Sequence, residues 1–332
     1  MINASFILGD SAFRDIYGDG ALTAIQPAAQ LLGAPINAKT LSANPPPWIH
    51  DTEVLFTGWG GPRLDPHTLS LLPRLRVVFH GAGTLRSLID DGSWPQGIEF
   101  TAAAAMNAIP TSEFAFGAIL LSLKRAWQNA AFARARRTFP FPHLSVPGGV
   151  GSAVGIVSLG QIGRRVAERL RTLEVDILAH DPFAPPQLFA QLGAHSCSLE
   201  ELFTRSDVVS LHAPLLPSTR GIIDARLLDF LKPNATLINT ARGGLINEPD
   251  LIDFLLARHD VQAVLDVTEP EPPPPDSPFW DLPNVFLTPH VAGSLGPECR
   301  RMGRAMIEEF HRYARGEPLR YTVTREQFEH MA

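Results

Sequence analysis

The sequence predicts an α/β protein built on doubly wound parallel sheets. Three observations lead to this prediction. Short β-branched runs alternate with amphipathic stretches along most of the chain. The 332 residues, 45% of them apolar and 19% charged, are enough for two domains with sizeable cores. A glycine-containing turn follows one central strand and opens a helix, as in dinucleotide-binding units.

The first hundred residues contain four predicted strands, in order "SFIL", "EVLFTG", "RVVFH" and "IEFTA". Two stretches between them, "ALTAIQPAAQLLG" and "PHTLSLLPRL", have the apolar spacing of helices. One long helix is then expected from about Ile109 to Ala135, apolar in its first part and basic in its last.

A second run of units follows the proline- and glycine-rich stretch "FPFPHLSVPGGVGS". Its predicted strands are "AVGIVSL", "DILAHD", "VVSLHA", "TLINTA", "VQAVLDV" and "VFLTPH". Its predicted helices are "GRRVAERLRTL", "PQLFAQLG", "LEELFTR", "ARLLDFL" and "EPDLIDFLLAR". Six strands with helices between them match a doubly wound dinucleotide-binding domain. One more helix, "PECRRMGRAMIEEFHRYARG", and a short tail complete the predicted elements.

Composition limits the classes of function. The net charge is −6, so no basic surface favours nucleic acid or an anionic membrane. The two cysteines, Cys197 and Cys299, form neither a disulfide framework nor a metal-ligand spacing, which favours a reducing compartment. We see no secretory signal, and the longest near-apolar run, Phe114 to Leu123, is roughly half of what a bilayer requires. We therefore expect a soluble cytoplasmic protein without a metal site.

The turn "GIVSLGQIG" is close to a nucleotide-binding fingerprint. Gly160 and Gly163 hold the second and third glycine positions of G-x-G-x-x-G, which serve the approach of a pyrophosphate and close helix–strand packing. Ser158 replaces the first glycine, a position that accepts an L-residue if its φ and ψ angles suit one. The alternative is an ordinary strand–turn–helix unit.

Asp181 stands at the end of the next strand, where an acidic side chain can bind an adenosine ribose and repel a 2′-phosphate. The residues that follow it, Pro182, Phe183 and Ala184, include no arginine to hold such a phosphate. We therefore expect NAD rather than NADP. The alternative is that Asp181 serves as a helix cap or turn former before Pro182.

Polar side chains stand at the carboxyl ends of several predicted strands, where open α/β sheets bind their ligands. They are His212, Arg242, Asp266, Glu271 and His290. An arginine can bind a carboxylate with two hydrogen bonds, a histidine can exchange the hydroxyl proton, and a carboxylate can fix the tautomer of that histidine. Together they suit the oxidation of a 2-hydroxy acid. Singly, each has an alternative: a surface ion pair for Arg242, a solvated loop charge for Glu271 and a structural role for His290.

Three segments, "LINTARGGLINEPDLIDFL", "VLDVTEPEP" and "LPNVFLTPHVAGS", closely resemble signature segments of the D-isomer-specific 2-hydroxyacid dehydrogenases. This family includes glycerate, phosphoglycerate and D-lactate dehydrogenases. The resemblance implies that Arg242 binds the substrate carboxylate, that Glu271 orients the catalytic histidine and that His290 is the acid/base. The segment "AMNAIPTSEFAFG" also resembles the family, with Asn107 and Glu113 at matching positions.

The resemblance implies a Rossmann-type NAD-binding domain, residues 104–290, inserted in a smaller flavodoxin-like substrate domain, residues 1–103 plus 291–332. It further implies closure of the two domains around the substrate and a homodimer. The expected cofactor-binding positions are Ser158, Gly160, Gln161, Ile162, Gly163, Asp181, His212, Ala213, Pro214, Thr240, Ala241, Asp266, His290 and Gly293.

The loop "HGAGTLRSLID" departs from the family pattern. It has Leu85 and Arg86 where the family often has an Asp-Asn pair, although backbone N–H groups around Ala82 and Gly83 can still bind a carboxylate. Trp59 either lines the pocket or belongs to the core. The expected function is NAD(H)-dependent interconversion of a small 2-oxo acid and its D-2-hydroxy acid. The alternatives are an NAD-responsive corepressor-like protein and a dehydrogenase of formate or phosphite.

Overall fold

A computed structural model describes residues 1–90, 92–139 and 146–331 of the chain. Residues 140–145 of the stretch expected to separate the two runs lie outside the described residues. The chain divides into two compact units, which are Met1–Ala108 with Ser294–Met331, and Ile109–Gly293. Each unit contains one parallel sheet with an apolar core on both of its faces.

The first unit contains a five-stranded parallel sheet in the order β2-β1-β3-β4-β5. Its strands are β1 (Ile2–Phe6), β2 (Ala29–Leu31), β3 (Val54–Thr57), β4 (Val77–His80) and β5 (Glu99–Ala102). Its helices in this part of the chain are α1 (Asp10–Ala12), α2 (Asp19–Ile25), α3 (Ala38–Ala43) and α4 (Pro66–Leu71). This order is that of the flavodoxin-like doubly wound sheet, whose ligands bind where the order reverses.

The helix expected over "ALTAIQPAAQLLG" is shorter than the prediction, because α2 ends at Ile25 and Ala29–Leu31 forms the edge strand β2. Pro27 explains the difference. Proline has no backbone N–H to donate, so it cannot continue the hydrogen bonding of the helix. The first predicted strand, "SFIL", is displaced: β1 covers Ile2–Phe6.

The second unit contains a seven-stranded parallel sheet in the order β12-β11-β10-β9-β6-β7-β8. The helices before this sheet are α5 (Ala104–Leu123, which begins in the first unit) and α6 (Ala126–Arg136). The strands are β6 (Ala153–Val157), β7 (Asp176–His180), β8 (Ala194–Ser196), β9 (Val208–Leu211), β10 (Thr236–Asn239), β11 (Gln262–Leu265) and β12 (Val285–Leu287). The helices among them are α7 (Gln161–Leu170), α8 (Pro186–Leu192), α9 (Leu199–Arg205), α10 (Ala225–Leu228) and α11 (Glu248–Ala257).

This sheet has one strand more than the six expected. The strand that the prediction lacked is β8, a three-residue edge strand. Two of its residues are exposed, so it does not show the apolar run by which the other strands were recognised. The strand order is that of a Rossmann-type sheet, extended by one strand at the β12 edge. The predicted α/β fold with doubly wound parallel sheets is confirmed.

The single long helix expected from Ile109 to Ala135 is wrong, because the chain breaks it between α5 and α6. Arg125 has a φ angle of 47°, outside the helical region. Its guanidinium donates hydrogen bonds to Oδ1 of Asn234 at 2.8 Å and to the carbonyl oxygen of Asp260 at 3.4 Å. These contacts come from distant sequence and are invisible to helical periodicity.

α5 is 20 residues long and apolar enough, by length and composition alone, to cross a membrane. Core helices of water-soluble proteins pass the same test. Ala115, Ile119 and Leu123 of this helix are buried in a core of the second unit, together with residues of β6 and α7. The helix extends beyond the run Phe114 to Leu123, so the expectation that the chain has no apolar stretch near the length of a bilayer does not hold for α5.

The last part of the chain returns to the first unit through α12 (Cys299–Ala314) and α13 (Arg325–Glu329). α12 inserts Met302, Met306 and Phe310 into the core of that unit. α13 lies in what was expected to be a tail without structure. It begins with a capping box in which Thr324 and Gln327 exchange hydrogen bonds between side chain and backbone.

Candidate active site

The glycine-containing turn joins β6 to α7 in the second unit. At Gly163 an added Cβ would collide with the carbonyl oxygen of Ser158, so this glycine is required for close packing of the helix on the turn. At Gly160 an added Cβ would meet no atom within 4 Å. α7 begins directly after Gly160 without a side-chain cap and without an acidic residue in its first turn. Its N-terminal N–H groups therefore face the kind of open site in which helices bind phosphate.

Ser158 has a φ angle of 76°, which lies in the left-handed region favoured by glycine. The condition under which this position accepts an L-residue without strain, a suitable pair of φ and ψ angles, is therefore not met. Its backbone N–H donates to the carbonyl oxygen of His180 at 2.8 Å, which fixes the start of the turn. Its hydroxyl lies 3.4 Å from Oδ2 of Asp181, too far for a strong hydrogen bond.

Asp181 lies at the end of β7 and organises the backbone around it. Its Oδ2 accepts a hydrogen bond of 2.7 Å from the N–H of Leu159. Its Oδ1 accepts hydrogen bonds from the N–H groups of Phe183 at 2.9 Å and Ala184 at 3.1 Å. The turn-forming alternative considered for this residue is thus present. A carboxylate offers about four lone-pair sites, so acceptor capacity remains for a ribose hydroxyl.

Arg242 follows β10 on a turn that Asn239 holds in place. The side-chain amide of Asn239 donates to the carbonyl oxygen of Arg242 at 2.8 Å and accepts from the N–H of Ala241 at 3.0 Å. Sequence reasoning missed Asn239, although a polar residue at the end of the buried run "TLIN" was a usable signal. Burial lowers the pKa of the Arg242 guanidinium, and the negative charge of Glu271 acts in the opposite direction. A partly buried cation of this kind favours an anionic ligand.

Gly243 and Gly244 bring the Arg242 turn against the loop that carries Glu271. A Cβ on Gly243 would collide with the backbone of Thr268 and Glu269. A Cβ on Gly244 would collide with the carboxylate of Glu269. Gly243 therefore lets the two segments pack backbone against backbone, which places the guanidinium near the acidic loop, whereas Gly244 leaves room for the Glu269 side chain.

Glu271 and His290 form a pair in the second unit. Oε1 of Glu271 lies 2.7 Å from Nδ1 of His290, and the side chains are 43% and 49% exposed, respectively. The hydrogen bond fixes the orientation of the imidazole and leaves Nε2 for a substrate proton. His290 has a φ angle of 53°, a strained conformation of the sort found at functional sites.

Asp266, expected to contact a cofactor, anchors the loop around His290. Its Oδ1 accepts hydrogen bonds from the hydroxyl of Thr288 at 2.6 Å and the N–H of Val291 at 2.8 Å. Its Oδ2 accepts from the N–H of Ala292 at 2.9 Å. Sequence reasoning missed Thr288, whose hydroxyl completes this set. The buried carboxylate therefore fixes the backbone on both sides of the histidine.

His212 and Thr240 are buried at the ends of β9 and β10. Nε2 of His212 lies 3.0 Å from the hydroxyl of Ser210, whereas its Nδ1 and the hydroxyl of Thr240 have no hydrogen-bond partner in the described structure. Burial lowers the pKa of His212 to about 4, so the ring is neutral near pH 7. Unpartnered buried polar atoms at the ligand-binding edge of a sheet call for a ligand or water.

The remaining expected positions follow these residues along the chain. Gln161 and Ile162 open α7, and Ala213 and Pro214 follow His212. Ala241 separates Thr240 from Arg242, and Gly293 is the last residue of the second unit before the chain returns.

The loop after β4, which was expected to bind a carboxylate, lies in the first unit. Ala82 is buried and its carbonyl oxygen accepts the N–H of Ala103 at 3.0 Å. Gly83 lies beside the side chain of Asn107, whose Oδ1 accepts the N–H of Ser294 at 2.9 Å. Trp59, at the end of the neighbouring strand β3, is 42% exposed and thus not part of the core.

Known protein families and curated proteins resemble this chain in sequence. The family model "D-isomer specific 2-hydroxyacid dehydrogenase, NAD binding domain" matches residues 117–292. A D-3-phosphoglycerate dehydrogenase of Mycobacterium bovis is 33% identical over 76% of this chain and 48% of its own. The chain thus spans about half the length of such relatives. A glyoxylate reductase of Aeropyrum pernix is 32% identical over 80% of this chain and 81% of its own.

Solved structures show the same architecture. The crystal structure of a glyoxylate reductase from Paecilomyes thermophila has a TM-score of 0.79 and 25% identity, covering 98% of this chain and 99% of that one. Structures of this fold at 24% and 22% identity contain NADP, and at that identity the likeness shows the fold alone.

Proposed function

The chain belongs to the D-isomer-specific 2-hydroxyacid dehydrogenase family, and from this premise we propose that it interconverts a small 2-oxo acid and its D-2-hydroxy acid with NAD(H). The observation that carries the proposal is the hydrogen-bonded pair of Glu271 and His290 in the same unit as Arg242. An arginine, a carboxylate and a histidine are the three groups that this chemistry needs.

Each of these residues has a defined task in the proposed reaction. Arg242 binds the substrate carboxylate and polarises the adjacent carbonyl. In reduction, Nε2 of His290 donates a proton to the carbonyl oxygen; in oxidation, it takes the hydroxyl proton. Glu271, bonded to Nδ1, fixes the tautomer and stabilises the charged ring. A nicotinamide cofactor, held by the turn at Gly160 and by His212 and Thr240, would supply the hydride to C2 in reduction and accept it in oxidation.

The second unit offers a set of groups that suits such a cofactor. The open face at Gly160 and the uncapped N-terminus of α7 fit a pyrophosphate. The unpartnered Nδ1 of His212 and hydroxyl of Thr240 fit polar atoms of a ligand at the carboxyl ends of β9 and β10. We assign the remaining cofactor positions named above to the same site.

We propose a preference for NAD over NADP because of Asp181. Three backbone N–H groups hold its carboxylate in place, so it cannot readily turn away from a 2′-phosphate. Pro182, Phe183 and Ala184 bring no compensating cation. Two negative groups in contact without a cation repel each other, and this repulsion selects against NADP.

We further propose that backbone N–H groups of Ala82 and Gly83 contribute to carboxylate binding, and that two chains form a homodimer. Support for the dimer comes from α6, none of whose described side chains is buried, and from Leu120 and Leu121 of α5, which are exposed. Light scattering in solution tests it. A cytoplasmic location remains a proposal from the two free cysteines.

The first experiment mixes the purified protein with NADH and then NADPH against glyoxylate, hydroxypyruvate, pyruvate and bulkier 2-oxo acids, and follows reduced-nicotinamide absorbance. Turnover with NADH supports the proposal, and the tolerated substrate size defines the substrate class. Tight NADH binding without turnover favours an NAD-responsive, corepressor-like role. In a parallel assay, reduction of NAD⁺ by formate or phosphite favours a dehydrogenase of those compounds. Failure to bind either cofactor refutes the proposal.

A further inference from the structure

The loop proposed to bind the substrate carboxylate is attached to the C-terminal segment of the chain. Arg86, three residues beyond Gly83, donates from Nε to the carbonyl oxygen of Met331 at 2.7 Å. Its Nη2 lies 3.3 Å from the carbonyl oxygens of both Phe328 and Glu329. One guanidinium therefore contacts carbonyl groups from the last turn of α13 and from the residues after it. The carbonyl oxygen of Phe328 also accepts the backbone N–H of Met331 at 3.1 Å.

Further contacts make this attachment specific. The guanidinium lies over the ring of Phe328, 5.0 Å from its centroid, in cation–π geometry. Phe328 is itself buried against Trp94, with ring centroids 5.4 Å apart. The N–H of Leu85 also points at Sδ of Met331, at 3.4 Å. The loop and the C-terminal segment thus share polar, aromatic and sulfur contacts.

The C-terminal segment is in turn fixed to the sheet. The N–H of Val323 donates to the carbonyl oxygen of Phe100 on β5 at 2.8 Å, and Thr322 forms an antiparallel bridge with Thr101. The carboxylate of Glu309 on α12, which is buried, accepts the N–H groups of Arg320 and Tyr321 at 2.7 and 3.0 Å. The segment that Arg86 contacts is therefore itself attached to β5 and α12.

We propose that Arg86 is a positioning residue that fixes the loop of Ala82 and Gly83 through its bonds to Phe328, Glu329 and Met331. This inference rests on the proposed function, because it assigns the loop to the substrate carboxylate. Backbone N–H groups bind an anion well only when their directions are fixed beforehand. Without the support, substrate binding has to order the loop, which weakens substrate affinity but leaves the bound complex nearly unchanged.

The test compares Arg86→Met and Arg86→Lys with Arg325→Met. Arg325 is the matched control, because it lies on α13, the helix that Arg86 contacts. Its only described ion pair is an exposed one with Glu329 of the same helix. Methionine keeps an unbranched apolar stem at position 86 but removes every donor. Lysine keeps the positive charge on a compact ammonium group, which cannot reproduce the planar arrangement of donors on the guanidinium.

Two measurements separate the attachment from its role in catalysis. In hydrogen–deuterium exchange, Arg86→Met is expected to raise amide exchange in residues 81–88 and 324–331 about tenfold, the equivalent of one lost charge-assisted hydrogen bond. In steady-state kinetics with the best 2-oxo acid, KM is expected to rise roughly tenfold while kcat stays within about threefold. The NADH dissociation constant is expected to stay unchanged. Arg86→Lys should fall between the wild type and Arg86→Met, and Arg325→Met should match the wild type.

Unchanged exchange in Arg86→Met would overturn the attachment, and raised exchange with an unchanged KM would overturn the positioning role. A matching rise in KM for Arg325→Met would also overturn it. If Arg86→Met does not fold, Arg86→Lys carries the same comparison. If the wild type turns over no 2-oxo acid, the substrate role fails with the proposed function, whereas the exchange result still decides whether Arg86 holds the loop.

Discussion

Replacing Ser158 by glycine tests how the cofactor turn tolerates its unusual residue. The φ angle of 76° costs an L-residue about 1–2 kcal/mol, and glycine would remove that cost. Glycine also gives the unfolded chain more freedom, which takes back about 0.4–1 kcal/mol. The hydroxyl lost with Ser158 lies 3.4 Å from Asp181 and contributes little. We therefore expect Ser158→Gly to raise the free energy of unfolding by roughly 0.5–1 kcal/mol.

Urea denaturation and thermal melting without cofactor measure this change, and the melting temperature should rise by about 1–4 °C. Ser158→Ala is the matched control, because it removes the hydroxyl but keeps the positive φ angle. Its free energy of unfolding should lie within about 0.5 kcal/mol of the wild type. Fluorescence titration should show NADH affinity of Ser158→Gly within about tenfold of the wild type, since Gly160, Gly163 and α7 are unchanged.

The reasoning is refuted if Ser158→Gly is less stable than the wild type while Ser158→Ala loses more than about 1 kcal/mol. That result would mean that the hydroxyl stabilises the turn through Asp181 and that the backbone strain is unimportant. A change in NADH affinity of several orders of magnitude would instead show that the serine is a functional substitution.

Four further outcomes are expected. Arg242→Ala should raise KM for the 2-oxo acid and lower kcat, reducing kcat/KM roughly a hundredfold or more, because the carboxylate loses its cation; near-normal kinetics would remove the residue from the site. His290→Asn should lower kcat about a hundredfold or more with little change in KM, since proton transfer is lost; steady-state kinetics with unchanged kcat would contradict its role as acid/base. Asp181→Ala should shift the NADH/NADPH ratio of kcat/KM towards NADPH by about tenfold or more. Asp176→Ala, at the exposed opposite end of β7, should leave the ratio unchanged. Equal ratios in the wild type and both variants would refute the repulsion argument. Burial lowers the pKa of His80 to about 4, so the unfolded chain binds this proton at higher pH than the folded chain. The free energy of unfolding should therefore fall as pH drops from about 6.5 to 4, by up to about 1.4 kcal/mol per pH unit. In urea titrations across this range, His80→Leu should show a shallower decline.

Most strands and helices were predictable because each covers an uninterrupted local pattern. α9 coincides with the predicted "LEELFTR", and every strand of the second unit except β8 lies within its predicted run. The failures have physical causes that lie outside such patterns. The break at Arg125 depends on Asn234 and Asp260, which are more than a hundred residues away. The strand β8 is too short and too exposed to show an apolar run.

The candidate site was predictable to the extent that its chemistry stands at strand ends. Arg242, Glu271 and His290 were identified from position and residue type, and the structure brings Glu271 and His290 into contact. Their supports were not predictable. Asn239 and Thr288 act through hydrogen bonds to particular backbone groups and side chains, and no sequence pattern specifies such geometry. Arg86 was noted from the sequence only as a departure from the family pattern, whereas its side chain bonds to the C-terminal segment.

The discontinuous first unit has a consequence for how the protein is made. Its core needs Phe310 of α12, which packs against Phe56 of β3 and Phe79 of β4 with ring centroids 5.5 and 6.1 Å apart. The ribosome adds α12 only after all of the second unit, which is continuous in sequence. The second unit can therefore fold during synthesis, whereas the nascent first unit waits with an exposed apolar sheet face. That interval is when the chain is most open to aggregation and most dependent on chaperones.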